Sequence, residues 1–395
     1  MQDKFIAVET EMADVLIERD AEIHSAILAL LSKRHLFMFG SPGVAKSLLV
    51  DEMCARITGA VQFKWLLTKH SVPEEIYGGP DLLTLKDRGI YRRITDGKLP
   101  QAHLAFLDET FKANSAILNS LLKILNENEF DNPGDDPHVP LISLFAASNE
   151  LPTNSELNAL ADRLHIWHHV QPIQDTSNFV KMLTLEKSEP QAFISLDDIY
   201  AAQVEVDNVA IGEDVLAALV ELSNRLSEQE IHVTDRRFKQ SLQVIKAEAW
   251  LNGCDVAEVI HTKPLQHMMW RDPSQIVPVR QAVYDLADPI ERDVINLREE
   301  WTVAYNSYKE TMADTNMTGR KADHTLEIFK KFKACKKDLI AIEGRCKDMG
   351  RECKALDDFT SYMKKIGPDL LAEGFEVDHS DAVELNSMLD KRDDV

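Results

Sequence analysis

The chain has 395 residues, 44% of them apolar, and its 66 acidic against 44 basic side chains leave a formal net charge of −22. This length suits two to three domains, with enough apolar content for real cores. The acidity weighs against a role built on phosphate-backbone affinity, which Lys and Arg dominate, although a local basic face is compatible with it.

No apolar stretch is long enough to cross a bilayer, and Met1-Gln-Asp-Lys-Phe5 lacks the charged and apolar regions of a signal peptide. A soluble, cytoplasmic protein is the expectation. The five cysteines form no Cys-x-x-Cys pair. Cys335, Cys346 and Cys353 fall on one helical face and are read as small core residues.

Residues 1–34 carry an amphipathic helical pattern through Val15, Ile23, Ile27 and Leu30. His35–Phe39 then reads as a buried strand. It runs into Gly40-Ser41-Pro42-Gly43-Val44-Ala45-Lys46-Ser47, followed by a helix from Leu48. Strand, glycine loop, Lys-Ser and helix is the layout of a phosphate-binding loop. The loop N–H groups and the helix N-terminus would hold nucleotide phosphates, Lys46 would reach the β/γ-phosphates, and Ser47 would ligate Mg²⁺. Ala45 stands where glycine usually precedes the lysine.

Leu82–Lys86, a turn at Asp87-Arg88-Gly89, and Ile90–Ile94 read as a β-hairpin. Ala102–Leu107 is a second apolar strand and ends in Asp108-Glu109. A carboxylate pair at a strand's carboxyl end sits where open α/β sheets bind ligands. Asp108 would hold the Mg²⁺ shell and Glu109 would polarise the attacking water. Residues 113–125 show a helical face, and 129–138 form a turn-rich insertion. Leu141–Ala147 is a third strand, which leads into Asn149, an amide able to position that water. Arg163 follows, read either as a finger toward a neighbouring subunit's nucleotide or as a surface arginine paired with Asp162.

Residues 175–265 are helical by pattern, with Thr234 and Asp235 suited to a helix start beside Arg236 and Arg237. Beyond a Pro- and Asp-containing linker, Ile290, Val294, Leu297, Trp301, Ala304 and Tyr308 repeat in heptad steps. Leu339, Ile342, Cys346, Met349, Cys353 and Leu356 do the same. Two long helices are expected, joined by a turn at 314–319. From Gly367-Pro368 the chain is acidic and weakly periodic, with a mobile end expected from about residue 380.

Together these motifs resemble the MoxR family of AAA+ ATPases, close to its RavA branch. The resemblance rests on Gly40–Ser47, Phe106–Glu109, Ala146–Pro152 and Ala161-Asp162-Arg163, with Val72–Gly78, Lys86–Tyr91 and Val233–Phe238, and covers residues 1 to about 275. The family tends to carry Ala before the loop lysine. It implies an α/β AAA+ core with a parallel sheet, flanking helices and an inserted β-hairpin (1–172), an all-α lid (173–275), and a C-terminal helical-hairpin arm with an acidic tail (276–395). ATP and Mg²⁺ are the implied cofactors. Ser47 and Asp108 are the metal ligands, and Gly40 through Leu48 with Asp108 the nucleotide contacts. Asn149 matches sensor 1, Arg163 the arginine finger, and Arg236 a sensor 2 reaching the γ-phosphate in cis, with Arg237 one step out of register. The implied activity is that of an ATP-hydrolysing hexameric ring motor that remodels protein clients beside a von Willebrand factor A partner. An ATP-gated scaffold and a nucleic-acid motor are the alternatives.

Overall fold

The computed structural model describes residues 1–152, 155–186, 189–313, 321–375 and 378. The chain forms two compact units, Met1–Val283 and Tyr284–Val395. The first is built on five parallel strands: β1 (Leu36–Phe39), β3 (Gln62–Leu66), β4 (Leu104–Asp108), β5 (Ser143–Ser148) and β6 (Ile166–His169), in the order β3-β4-β5-β1-β6. Two-residue β2 (Ile57–Thr58) pairs with β7 (Ile194–Ser195) apart from this sheet. Phe37, Leu107, Phe145 and Trp167 are fully buried in the sheet, as expected of strands covered by helices on both faces. The chain crosses over through α3 (Lys46–Ala55), α6 (Ser115–Glu127) and α7 (Ser155–Arg163).

One sequence expectation is overturned. Leu82–Arg88 is a helix, α5, and not a strand of a hairpin. The Asp81 carboxylate accepts from Leu83 N and Thr84 N at 3.1 and 3.0 Å, an N-cap. Gly89, at φ 67°, ends the helix in the left-handed conformation. The Asp87-Arg88-Gly89 signal was therefore a helix C-terminus, not a hairpin turn. The segment still returns on itself, since Pro80 and Arg93 form an isolated antiparallel bridge. The second insertion docks on this one. Arg93 N donates to Asn132 Oδ1 at 2.8 Å, Asn132 Nδ2 donates to Arg93 O at 3.0 Å, and Arg92 pairs with Asp135 at 2.7 Å. The short helix α4 (Pro73–Tyr77) lies upstream of them in the chain.

The stretch expected to form the lid holds α8 (Thr176–Thr184), α9 (Leu196–Asn208), α10 (Glu213–Glu228) and α11 (Asp235–Leu251). It is not wholly helical, because β8 (Ala210–Ile211) and β9 (Val256–Ala257) pair in parallel. α11 is fastened at both ends. Near its start, the buried Arg237 guanidinium donates to the carbonyls of Leu164, His165 and Met268. Near its end, Glu248 Oε2 lies 2.7 Å from His24 Nε2, while His24 Nδ1 lies 2.8 Å from Glu9 Oε1. Glu9 is on α1 (Gln2–Val15) and His24 on α2 (Asp20–Ser32), so one imidazole joins three helices.

In the second unit α13 (Pro289–Ala313) carries the expected seam, with Ile290, Val294, Trp301 and Tyr308 buried. The expected second helix is two: α14 (Lys321–Asp348) and α15 (Lys354–Phe375), broken at Gly350, which takes φ 62°. Met349, placed in the seam by sequence, is 69% exposed at this break. The unit is thus a three-helix bundle and not a hairpin. α15 continues through Pro368 and buries Leu370 in the bundle core, a docking of residues 369–375 that their apolar pair Leu370-Leu371 allows. Cys335, Cys346 and Cys353 are buried free thiols. The turn expected at 314–319 and the end expected beyond 380 lie outside the described residues. α12 (Ile276–Ala287) precedes α13 in the chain.

Burial alone would lower the His24 pKa, but the hydrogen bonds and charges of Glu248 and Glu9 outweigh it and raise it to about 10. A group whose pKa is raised on folding stabilises fully below its unfolded value and loses that contribution as pH rises through the folded one. Thermal stability is therefore expected to fall as pH rises through about 10, and this alkaline loss should be smaller in His24→Gln. Identical alkaline limbs for the two proteins would remove His24 from the account.

Candidate functional site

β5 lies between β1 and β4, and all three run in parallel. The segments leaving their carboxyl ends are the glycine loop after β1, Glu109 after β4 and Asn149 after β5. The sheet order thus brings three distant sequence motifs to one edge, where parallel sheets place ligands.

The loop is set by close backbone packing. Gly40 N donates to Ser148 O at 3.2 Å. A Cβ on Gly40 would stand 2.4 Å from Val170 O, so no other residue fits there. Gly43 takes φ 85°, which glycine adopts without strain. Ala45 takes φ 68° at the N-cap of α3, a left-handed conformation that costs an L-residue about 1 kcal/mol. Ala45 thus adopts the backbone conformation that glycine would adopt more readily.

Lys46 is buried, and its Nζ donates to Gly40 O and Ser41 O at 2.7 and 2.8 Å. Burial lowers its pKa, opposed by the charges of Asp108 and Glu109. Ser47 Oγ stands 3.4 Å from Asp108 Oδ2, which puts the two expected Mg²⁺ ligands side by side. Glu109 adopts φ 51°, and its N–H donates to Asp108 Oδ1 at 2.9 Å. Its buried Oε2 has only an ion pair with Lys112 at 3.4 Å and no hydrogen bond. Asn149 Oδ1 is also buried without a hydrogen-bond partner. Orphan acceptors are costly unless something else satisfies them, and here two stand at neighbouring strand ends. Among the described residues no cluster of three His, Cys, Asp or Glu side chains could hold a metal unaided. A cation here would draw on Ser47, Asp108 and phosphate oxygens together.

The loop opens on a cleft of about 740 Å³. Its far wall is apolar: Val15, Leu16, Ile17, Pro172, Ile173 and the two α8 side chains Phe179 and Met182. The sequence reading assigned no contacts to this wall. The resemblance implies that residues 1–34 pack near the adenine, and on the other segment α8 leaves its apolar side chains unburied. Glu18 fixes the wall by accepting from Gln174 N at 2.8 Å, Asp175 N at 3.0 Å and Asn178 Nδ2 at 3.0 Å.

Arg163 and Arg236 are elsewhere. Neither lines this cleft, so the cis reach expected of Arg236 is not the one observed. Both donate to one acceptor: Arg163 Nε lies 2.9 Å and Arg236 Nη2 2.8 Å from Asn126 Oδ1. The alternative partner for Arg163 is committed to another residue, because Asp162 pairs with Arg271. The two adjacent arginines, Arg236 and Arg237, differ in their surroundings. Arg237 is buried against backbone carbonyls and Arg236 is exposed.

A phosphate loop, an acidic pair and a sensor-type amide on adjacent parallel strands, followed by a helical lid, define the AAA+ class of P-loop ATPases. The chain belongs to the MoxR family within that class. Residues 3–205 match the MoxR domain of the MoxR-vWA-beta-propeller ternary systems, and residues 214–283 match an AAA lid domain. Two uncharacterised proteins of Methanocaldococcus jannaschii are similar to it. One is 38% identical over 75% of this chain and 78% of its own length, the other 32% identical over 89% and 94%. The chaperone MoxR1 of Mycobacterium tuberculosis is 28% identical over 35% of each chain. In fold, the chain is similar to a solved structure from Cytophaga hutchinsonii described as a candidate ATPase. The TM-score is 0.57 at 17% identity, over 72% of this chain and 93% of that one.

Two substitutions test the loop. Lys46→Ala should abolish ATP binding in an equilibrium titration, and unchanged affinity would remove the loop from the site. Ala45→Gly should raise folding stability by about 1 kcal/mol by relieving the left-handed alanine, with ATP binding retained. A loss of stability on that change would show that the alanine is unstrained.

Proposed function

We propose that the chain is an Mg²⁺-dependent, ATP-hydrolysing subunit of a hexameric ring that remodels protein clients. The observation that carries this reading is the juxtaposition of the Ser47–Asp108 pair with the orphaned acceptors Glu109 Oε2 and Asn149 Oδ1 beside the phosphate loop. Lys46 would exchange its two loop carbonyls for β/γ-phosphate oxygens. Ser47 and Asp108 would hold Mg²⁺, which would neutralise charge on those oxygens. Glu109 would take a proton from the attacking water while Asn149 orients it. The apolar wall from Val15 to Met182 would receive the base.

The same reading assigns Arg163 and Arg236 to the nucleotide of an adjacent subunit. Their absence from their own chain's cleft and their convergence on Asn126 support this. Fingers of this kind contribute about 10³–10⁵ in rate. Arg237 and Glu248 fasten α11 at both ends, which favours transmission of the nucleotide state between subunits over a swing of lid against core. The exposed α5 side chains Leu82 and Leu83, 69% and 75% accessible, offer a client surface on the paired insertions. A von Willebrand factor A partner is suggested by the name of the matching MoxR domain. The proposed division is core 1–172, lid 173–275 and, beyond these, an arm that we compare with the helical extension of the RavA branch. The net charge of −22 disfavours a nucleic-acid substrate. Among the described residues no helix is long and apolar enough to cross a membrane.

Glu109→Gln should bind ATP and stall, and near-normal turnover would remove Glu109 from the base role. Arg163→Ala subunits should lose turnover alone and recover part of it when mixed with Glu109→Gln subunits. A mixed assembly, verified by sizing, with no recovery at any ratio would exclude action in trans.

A further inference from the structure

Two guanidinium groups of the same chain, 73 positions apart (163 and 236), hydrogen-bond to a single neutral amide oxygen. Among the described residues neither has a carboxylate within ion-pair distance. Arg163 donates to Asn126 Oδ1 and to Ala159 O, and Arg236 to Asn126 Oδ1. The nearest obvious counter-ion, Asp162, is held by Arg271. Like charges drawn together on a neutral acceptor keep their positive field instead of cancelling it, and they are relieved by an anion. Burial and then the charge of Arg236 lower the pKa of Arg163, opposed by the charge of Asp162.

We infer that Asn126 is a positioning residue that gathers Arg163 and Arg236 into one anion-seeking pair for the phosphates of a neighbouring subunit's nucleotide. This rests on the trans reading of the arginines given above. Asn126 is suited to the task by where it stands. It lies in the last turn of α6, a 13-residue helix whose start follows closely on Asp108-Glu109. A rigid helix fixes the height of the amide above the sheet, and one oxygen with two lone pairs can accept from both arginines. A carboxylate there would hold the arginines more tightly but neutralise them. An alanine would leave two long side chains to spread apart under mutual repulsion.

The test is steady-state ATPase of the full-length chain, with assembly state and thermal stability measured in parallel. Asn126→Ala should lower kcat about tenfold, the kinetic equivalent of one hydrogen bond's positioning, and leave KM for ATP and assembly nearly unchanged. Asn126→Asp should lower kcat at least as much while leaving thermal stability equal to or above that of the unaltered chain. A residue that served stability alone would not separate the two readouts in this way. Full activity of Asn126→Asp would overturn the inference. If Arg163→Ala destroys turnover while both Asn126 variants keep it, the trans reading stands and the inference falls. If Arg163→Ala keeps turnover, the trans reading itself has failed. Should Asn126→Ala not fold, the Asp variant alone decides.

Discussion

The parallel register of β4, β5 and β1 is the constraint from which the rest follows. Leu36 to Phe39 pair in step with Phe145 to Ser148, and Leu104 to Leu107 with Ser143 to Ala146. A slip of one residue would send every side chain of a strand to the opposite face of the sheet and undo its packing on both. The fully buried Phe37, Leu107 and Phe145 hold that register. Because it is held, the chain's three chemical motifs leave the sheet at the same edge. Lys46, Asp108, Glu109 and Asn149 come from three segments that share no sequence neighbourhood. Pairing on the sheet makes them neighbours.

The same fold keeps a second set of charges away from that edge. Arg237 is spent on three backbone carbonyls and fixes α11 to the end of α7. Arg236, one residue earlier on the same helix, is turned to the surface beside Arg163. A helix rotates about 100° per residue, so one of two adjacent arginines can be structural and the other available. The His24 bridge secures the far end of α11. This geometry describes a subunit whose nucleotide cleft and whose surface arginines are two separate, rigidly linked stations. Under the proposed function, such a subunit would complete its chemistry against another copy.

Much of the site was legible in the sequence because its motifs are local. A glycine loop between an apolar strand and a helix, or a carboxylate pair ending a strand, states its own geometry within a few residues. What the sequence concealed depended on contacts made at a distance. Leu82–Lys86 alternates enough to suggest a strand, but Asp81 and Gly89 cap it as a helix. The heptad seam continues in sequence through Met349, although Gly350 breaks the helix there. Pro368 reads as an ending, yet α15 carries on because Leu370 has a core to enter. The apolar wall of the cleft joins residues 15–17 to residues 172–182, and nothing in either segment announces the other. Asn126 is the clearest case. As a polar residue near a helix end it carries no sequence signal, and its meaning comes only from the two arginines that meet on it.

The central claim is that this chain's catalytic site is finished by a second copy. The most direct test is the ATPase rate per subunit measured against protein concentration, with light scattering on the same samples. The account predicts specific activity that rises steeply as a ring-sized assembly forms and is negligible for the monomer. Constant specific activity at monomer size would contradict it.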